Sequence, residues 1–177
     1  MRDRRSLRLR LMLGGVLGVT NGVTEAAGSI GWEVTVLDGA GSVQNRAAAF
    51  GQALALQPDG IVINGFDAVE QQAALKQACD AGIPMVSWHA GPVIGPDPTN
   101  CIFANVSTDA MEVSAAAAKW AFADAGGKPG VVIFTDSTYA IAIAKADKIK
   151  ETIEALGGTV LEYVDTPIAE TSTRMPS

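Results

Sequence analysis

Histidine occurs once in the 177-residue chain, at His89, and cysteine twice, at Cys79 and Cys101. One imidazole excludes any site that needs two. Neither cysteine stands in a metal-ligand spacing. The pair could close one disulfide or remain as two thiols, and the tendency of cysteine to be buried favours two buried thiols. Aromatics are only 6% of residues, while Ala and Gly are plentiful, which speaks for helices packed closely on a sheet over an aromatic-rich β-sandwich. No apolar run reaches the roughly 18–20 residues that span a bilayer. Basic residues are scarce after the start. Arg2, Arg4, Arg5, Arg8 and Arg10 crowd the first ten positions, and no basic patch follows in a chain of net charge −6. Nucleic acid is therefore excluded as a partner, since phosphate neutralisation needs clustered Lys and Arg.

Hydrophobic residues make up 48% of the chain, enough for a buried core, and its length suits one domain or one and a fraction. Short apolar runs recur at residues 32–37 (WEVTVL), 60–64 (GIVIN), 83–88 (IPMVSW), 101–104 (CIFA), 131–135 (VVIFT) and 159–164 (TVLEYV). Continuous runs of this kind suit strands buried on both faces of a parallel sheet. Helical stretches lie between them, at 43–57, 67–81, 108–125 and 140–156. Asp67 with Glu70 three residues on predicts a capping box, Thr108 predicts another cap, and Gly126-Gly127 and Gly157-Gly158 predict stops. The fold class that follows is α/β, a doubly wound parallel sheet, with ligand sites at the C-terminal ends of the strands.

The loops at those ends carry hydroxyls, amides, carboxylates and aromatics, the groups that bind a small polar molecule. Asn64 and Asp67 follow the 60–64 strand, Trp88 and His89 end the 83–88 strand, and Ser137, Thr138 and Tyr139 follow the 131–135 strand. Asp67 is open to two readings, helix cap or ligand contact, Trp88 to core or stacking platform, and Tyr139 to site or surface. His89 reads as a ligand hydrogen bonder, a structural histidine or a base. Successive strand residues point oppositely, so Trp88 and His89 share a cleft only if the strand ends there and its tip bends. Enzymatic signatures are weak. Residues 38–41 (DGAG) lack the third glycine of a dinucleotide loop, there is no phosphate-binding G-x-x-x-x-G-K, and Ser87 near His89 lacks a nucleophile elbow. No enzyme activity, cofactor or metal is expected.

Several segments together carry a resemblance. Residues 18–27 (GVTNGVTEAA), 31–34 (GWEV), 58–64 (PDGIVIN) with Asp67, 81–86 (AGIPMV), 105–109 (NVSTD), and 130–134 (GVVIF) with 145–148 (KADK) occur in the order of the periplasmic sugar-binding proteins of ABC transporters. The chain resembles the ribose-binding type of that family from about Gly14 to its last residue. The resemblance implies a clamp of two α/β lobes closing on a solute. Residues 14–107 would form the first lobe and 108–177 part of a second, behind an atypical basic segment at 1–13. It implies a sugar-like solute, a membrane permease as partner, a periplasmic location, and contacts from Asn64, Asp67, Trp88, His89 and 137–139.

The chain departs from the family in three places. Many members carry Asp-Arg where this sequence has His89-Ala90, and an Arg expected early in the second-lobe helix is absent from residues 140–144 (AIAIA). The usual sugar grip is thus missing. Family members run to about two domain lengths, so the chain reads as incomplete. At the front, Arg at alternate positions of residues 4–13 (RRSLRLRLML) argues against a strand buried on both faces. That segment is either an export signal with an apolar stretch at 11–19, an altered start in place of leader and first strand, or a basic surface segment. Two other function classes make different demands on the sequence. A ligand-sensing core of a lactose-repressor-type regulator would need an N-terminal helix-turn-helix. An enzyme on a flavodoxin-like sheet would need a phosphate loop or a paired acid and base.

Overall fold

The computed structural model describes residues 6–11, 14–39 and 42–171. The chain divides between Ser107 and Thr108 into two compact units. The first unit alternates strand and helix: β1 (Ser6–Leu11), α1 (Gly14–Ser29), β2 (Glu33–Asp38), α2 (Val43–Ala55), β3 (Gly60–Asn64), α3 (Gln72–Asp80), β4 (Met85–Trp88), β5 (Gly95–Asp97) and β6 (Ile102–Val106). Its six-stranded sheet has the order β2-β1-β3-β4-β6-β5. All pairings are parallel except β5 with β6. The strand order reverses at β1, so right-handed crossovers send α1 and α2 to opposite faces and leave a crevice at the C-terminal ends of β1 and β3. This is the doubly wound α/β sheet expected.

Among the strands whose burial is described, β3 alone is buried throughout, apolar from Gly60 to Ile63 and closed by Asn64, because helices cover both its faces. Ile61 and Ile63 join Phe50 of α2, Leu75 and Ala78 of α3, Met85 and Ile102 in one core. Each such large side chain withdrawn from water contributes about 1.5–3 kcal/mol. Phe50 and Phe66 meet at 5.5 Å. Val62 and Asn64 face the other way, toward α1.

The expectation that every strand is buried on both faces fails elsewhere. In β2, four of six positions are exposed, with Val34 and Leu37 half-covered. A second correction concerns the first strand. The backbone of Ser6–Leu11 is a strand, paired with β2 over six residues and with β3 over three. Alternating Leu and Arg is itself a period-two pattern, so the residues that argue against burial also fit a strand. Positions 1–5 and 12–13 of the basic segment lie outside the described residues, as do Ala40 and Gly41 of the DGAG stretch.

The second unit contains α4 (Ala110–Asp124), β7 (Gly130–Thr135), α5 (Ala140–Ala155) and β8 (Thr159–Asp165). β7 and β8 pair in parallel as a two-stranded sheet. Ile133 of β7 and Ile141, Ala146 and Ile153 of α5 are buried. Helix α4 is capped by Asp109, not Thr108: the Asp109 carboxylate accepts from the amides of Met111 and Glu112, both at 2.9 Å. Gly126 and Gly127, at φ +68° and +92°, end α4 as predicted, since a side chain there would be strained.

Two further expectations are corrected. Helix α3 starts at Gln72, five residues after Asp67. Asp67 does cap the preceding turn, but Glu70 does not complete a capping box. It pairs instead with Arg46 of α2 at 2.6 Å. The two cysteines are not thiols: Cys79 and Cys101 form a disulfide, with Cα atoms 5.8 Å apart. Burial tendency misled here because the fold places the end of α3 beside the start of β6.

Candidate functional site

Asn64 closes β3 at the crevice and is 2% exposed. Its Nδ2 donates to the Val16 carbonyl and to Thr20 Oγ1, both at 3.0 Å, which ties the strand end to α1. Its buried Oδ1 has no partner. An unpaired buried acceptor is costly, so it marks a position where a further donor is favourable.

Asp67, also 2% exposed, is engaged locally. Its Oδ1 accepts from the amides of Val69 at 2.8 Å and Glu70 at 3.1 Å. Behind it, Arg46 donates to both Glu70 oxygens, and Gln71 Nε2 donates to Glu70 Oε1 at 2.6 Å. Buried Arg46 is thereby neutralised and the turn is braced against α2.

Strand β4 ends at Trp88, and His89 sits at φ +51°, a left-handed conformation that turns the chain. The bend that alternation required is therefore present. The two rings lie side by side, their centroids 4.4 Å apart and their planes inclined at 57°, and both are half-buried. Ser107 Oγ lies 3.4 Å from His89 Nδ1, a long hydrogen bond. Ser87, near His89 in sequence, donates to Asn105 Oδ1 at 2.8 Å.

In the second unit the 136–139 loop is shaped by Asp136. Its Oδ1 accepts from the Thr138 amide at 2.9 Å and from Thr138 Oγ1 at 2.6 Å, and its Oδ2 accepts from the Ile168 amide at 2.8 Å. Ser137 and Thr138 are exposed, and the Ser137 amide donates to Asp165 at 2.9 Å. Half-buried Tyr139 opens α5 at its N-cap position. The structure thus gathers Asn64, Asp67, Trp88 and His89 at one end of the first unit's sheet, and Ser137, Thr138 and Tyr139 at the corresponding end of β7.

Sequence reasoning placed Asn105 and Asp136 in strand-end loops without their organising roles, and did not single out Arg46. Asp136-Ser-Thr138 carried a signal, because Asp two residues before Thr is an Asx-turn pattern. The other two carried none. Tyr163 stands on β8. Its phenol is held above its ordinary value, first by lost hydration and then by the Asp147 carboxylate, which accepts its hydroxyl at 2.9 Å. Among the described residues no cluster of His, Cys, Asp and Glu could hold a metal, and no helix is long and apolar enough to cross a membrane.

The sequence matches the family described as periplasmic binding protein domain over residues 17–174. No curated protein matches it. Among solved structures it is similar to a glucose-galactose binding protein from Geobacillus stearothermophilus, at 20% identity and TM-score 0.81, covering 94% of this chain and 60% of that one. It is also similar to an ABC transporter solute-binding protein from Burkholderia graminis in complex with D-arabinose (17%, TM-score 0.81, 98% of this chain and 64% of that one). A third is a sugar-binding protein of a sugar ABC transporter from Bacillus halodurans (23%, TM-score 0.73, 92% and 56%). At these identities the likeness shows the fold. The chain spans 56–64% of the length of these three structures.

Proposed function

The chain belongs to the periplasmic binding protein domain family, and from that membership we propose that it is the solute-binding component of an ABC-type importer, taking a small sugar-like solute. Members of the family bind substrates and are not enzymes, and the reading needs no covalent step. The observation that carries it is the Trp88–His89 pair at the end of β4, two half-buried rings at 4.4 Å beside the crevice of a doubly wound sheet. Aromatic faces of this kind cover the C–H face of a sugar while amides and hydroxyls replace its water.

Within this reading Trp88 and His89 form the platform, and Asn64 offers its unpaired Oδ1 to a solute hydroxyl. Ser137, Thr138 and Tyr139 are the contributions of residues 108–177, read as part of a second lobe behind a first lobe at 14–107. Asp67 braces the loop more than it touches the solute, because its Oδ1 is already engaged. The chain has His89-Ala90 in place of the Asp-Arg grip, which favours a sugar with an extended apolar face or a derivative. A membrane permease is the expected partner. A periplasmic location fits the Cys79–Cys101 disulfide, since such bonds persist in oxidising compartments.

A thermal-shift screen of the 177-residue chain against pentoses, hexoses, polyols, nucleosides and small carboxylates tests the proposal. Binding to the folded state alone raises stability by about 2.7 kcal/mol at a ligand concentration 100 times Kd. A raised midpoint with a pentose, hexose or polyol is the expected result. A sharp transition moved only by a carboxylate, or by no solute at high concentration, would contradict it.

A further inference from the structure

We propose that Asn105 is a positioning residue, the one that fixes the turn holding Trp88 and His89 side by side. Its relevance to solute binding rests on the platform reading above, but its structural consequence can be measured without any solute.

Asn105 lies on β6 and is 3% exposed. Its side-chain amide is engaged to capacity on a single loop. Oδ1 accepts from Ser87 Oγ at 2.8 Å and from the Ala90 amide at 3.2 Å. Nδ2 donates to the Gly91 carbonyl at 3.2 Å and to the Val93 carbonyl at 2.6 Å. Two acceptor sites and two donor hydrogens are the whole inventory of an amide. The four partners bracket the aromatic pair, Ser87 immediately before it and Ala90, Gly91 and Val93 after it. His89 itself is held at φ +51°, which a residue with a β-carbon disfavours. A strained turn persists only where its surroundings over-determine it. Here β6 does so from two adjacent residues, Asn105 and Val106, whose carbonyl accepts from the His89 amide at 3.1 Å. No other coded side chain of this size carries the same two acceptors and two donors. Aspartate keeps the acceptors, but a carboxylate would then face the carbonyls of Gly91 and Val93.

The chain supplies its own probes. His89 is the only histidine, so its ring protons are resolved without assignment. With the exposed Trp32 and Trp120 replaced by Phe, Trp88 is the only indole. In that background the His89 ring protons are expected to be displaced by the Trp88 ring current. The Asn105→Asp variant should lose that displacement and show a larger acrylamide quenching constant for Trp88. Ser87→Ala, which removes one of the four bonds, should move both signals in the same direction by less, and it covers the case in which Asn105→Asp does not fold. Unchanged ring shifts and quenching in a folded Asn105→Asp variant, or in Ser87→Ala, would overturn the proposal even if the thermal midpoint fell. A null result in the sugar screen would leave these readouts untouched, so the two failures are distinguishable.

Discussion

The ring centroids of Trp88 and His89 lie 4.4 Å apart although the residues are neighbours in sequence. On a regular strand they would point to opposite faces. The end of β4 and the left-handed backbone of His89 bring them to one side, and this is the pair we propose as the stacking platform.

Replacing the indole should therefore weaken the solute more than the fold. Trp88→Ala is expected to lower affinity at least tenfold, about 1.4 kcal/mol, measured by calorimetric titration with whichever sugar raises the thermal midpoint. Affinity unchanged in Trp88→Ala would remove the platform assignment.

The Arg46–Glu70 pair brings a different prediction. The Arg46 side chain is 4% exposed and that of Glu70 13%. Glu70→Ala leaves a buried guanidinium without its carboxylate, and such losses cost about 3–5 kcal/mol. Arg46→Met together with Glu70→Leu should cost far less, because no unpaired charge remains. Urea unfolding of the three proteins separates these outcomes, and equal losses would contradict the argument.

Reduction tests the cross-link. Cys79 and Cys101 close a loop with a separation of 22 residues, for which the chain-entropy estimate is about 3 kcal/mol. The double variant Cys79→Ala, Cys101→Ala should unfold at correspondingly lower denaturant. The oxidised protein should show no titratable thiol until reduced.

Tyr163 supplies a pH dependence whose sign is fixed. Its pKa is raised in the folded chain, so folding retains the phenolic proton where the unfolded chain, near pH 10, releases it. The contribution is present below about pH 10 and is lost as pH rises through the folded value. Ultraviolet titration should find the phenol above its ordinary value, and Asp147→Asn should bring it down. No change in Asp147→Asn would contradict the role given to that carboxylate.

Much of this architecture was legible in the residues. Runs such as GIVIN and IPMVSW, bounded by Gly and Pro, mark β3 and β4 because a strand covered on both faces must be apolar throughout. Asn64 and Trp88 are legible as candidates because they stand at the ends of those runs. Strand β1 was misread because its arginines argue against burial, while its pairing with β2 and β3 is made with residues distant in sequence. Glu70 stands at capping-box spacing from Asp67, yet its partner Arg46 lies 24 residues earlier, a relation no local pattern holds. The organising role of Asn105 was invisible for the same reason. Nothing in IFANV separates an amide in solvent from one that satisfies four groups of a distant loop.

The most direct test of the central claim is a sugar titration of the protein in which Trp32 and Trp120 are replaced by Phe, read through the emission of Trp88. The account predicts a saturable change with at least one pentose, hexose or polyol, at the concentrations that raise the thermal midpoint. A folded protein whose midpoint rises with a sugar while Trp88 emission stays constant would contradict the placement of the solute on this face. No response of either kind to any sugar would contradict the function itself.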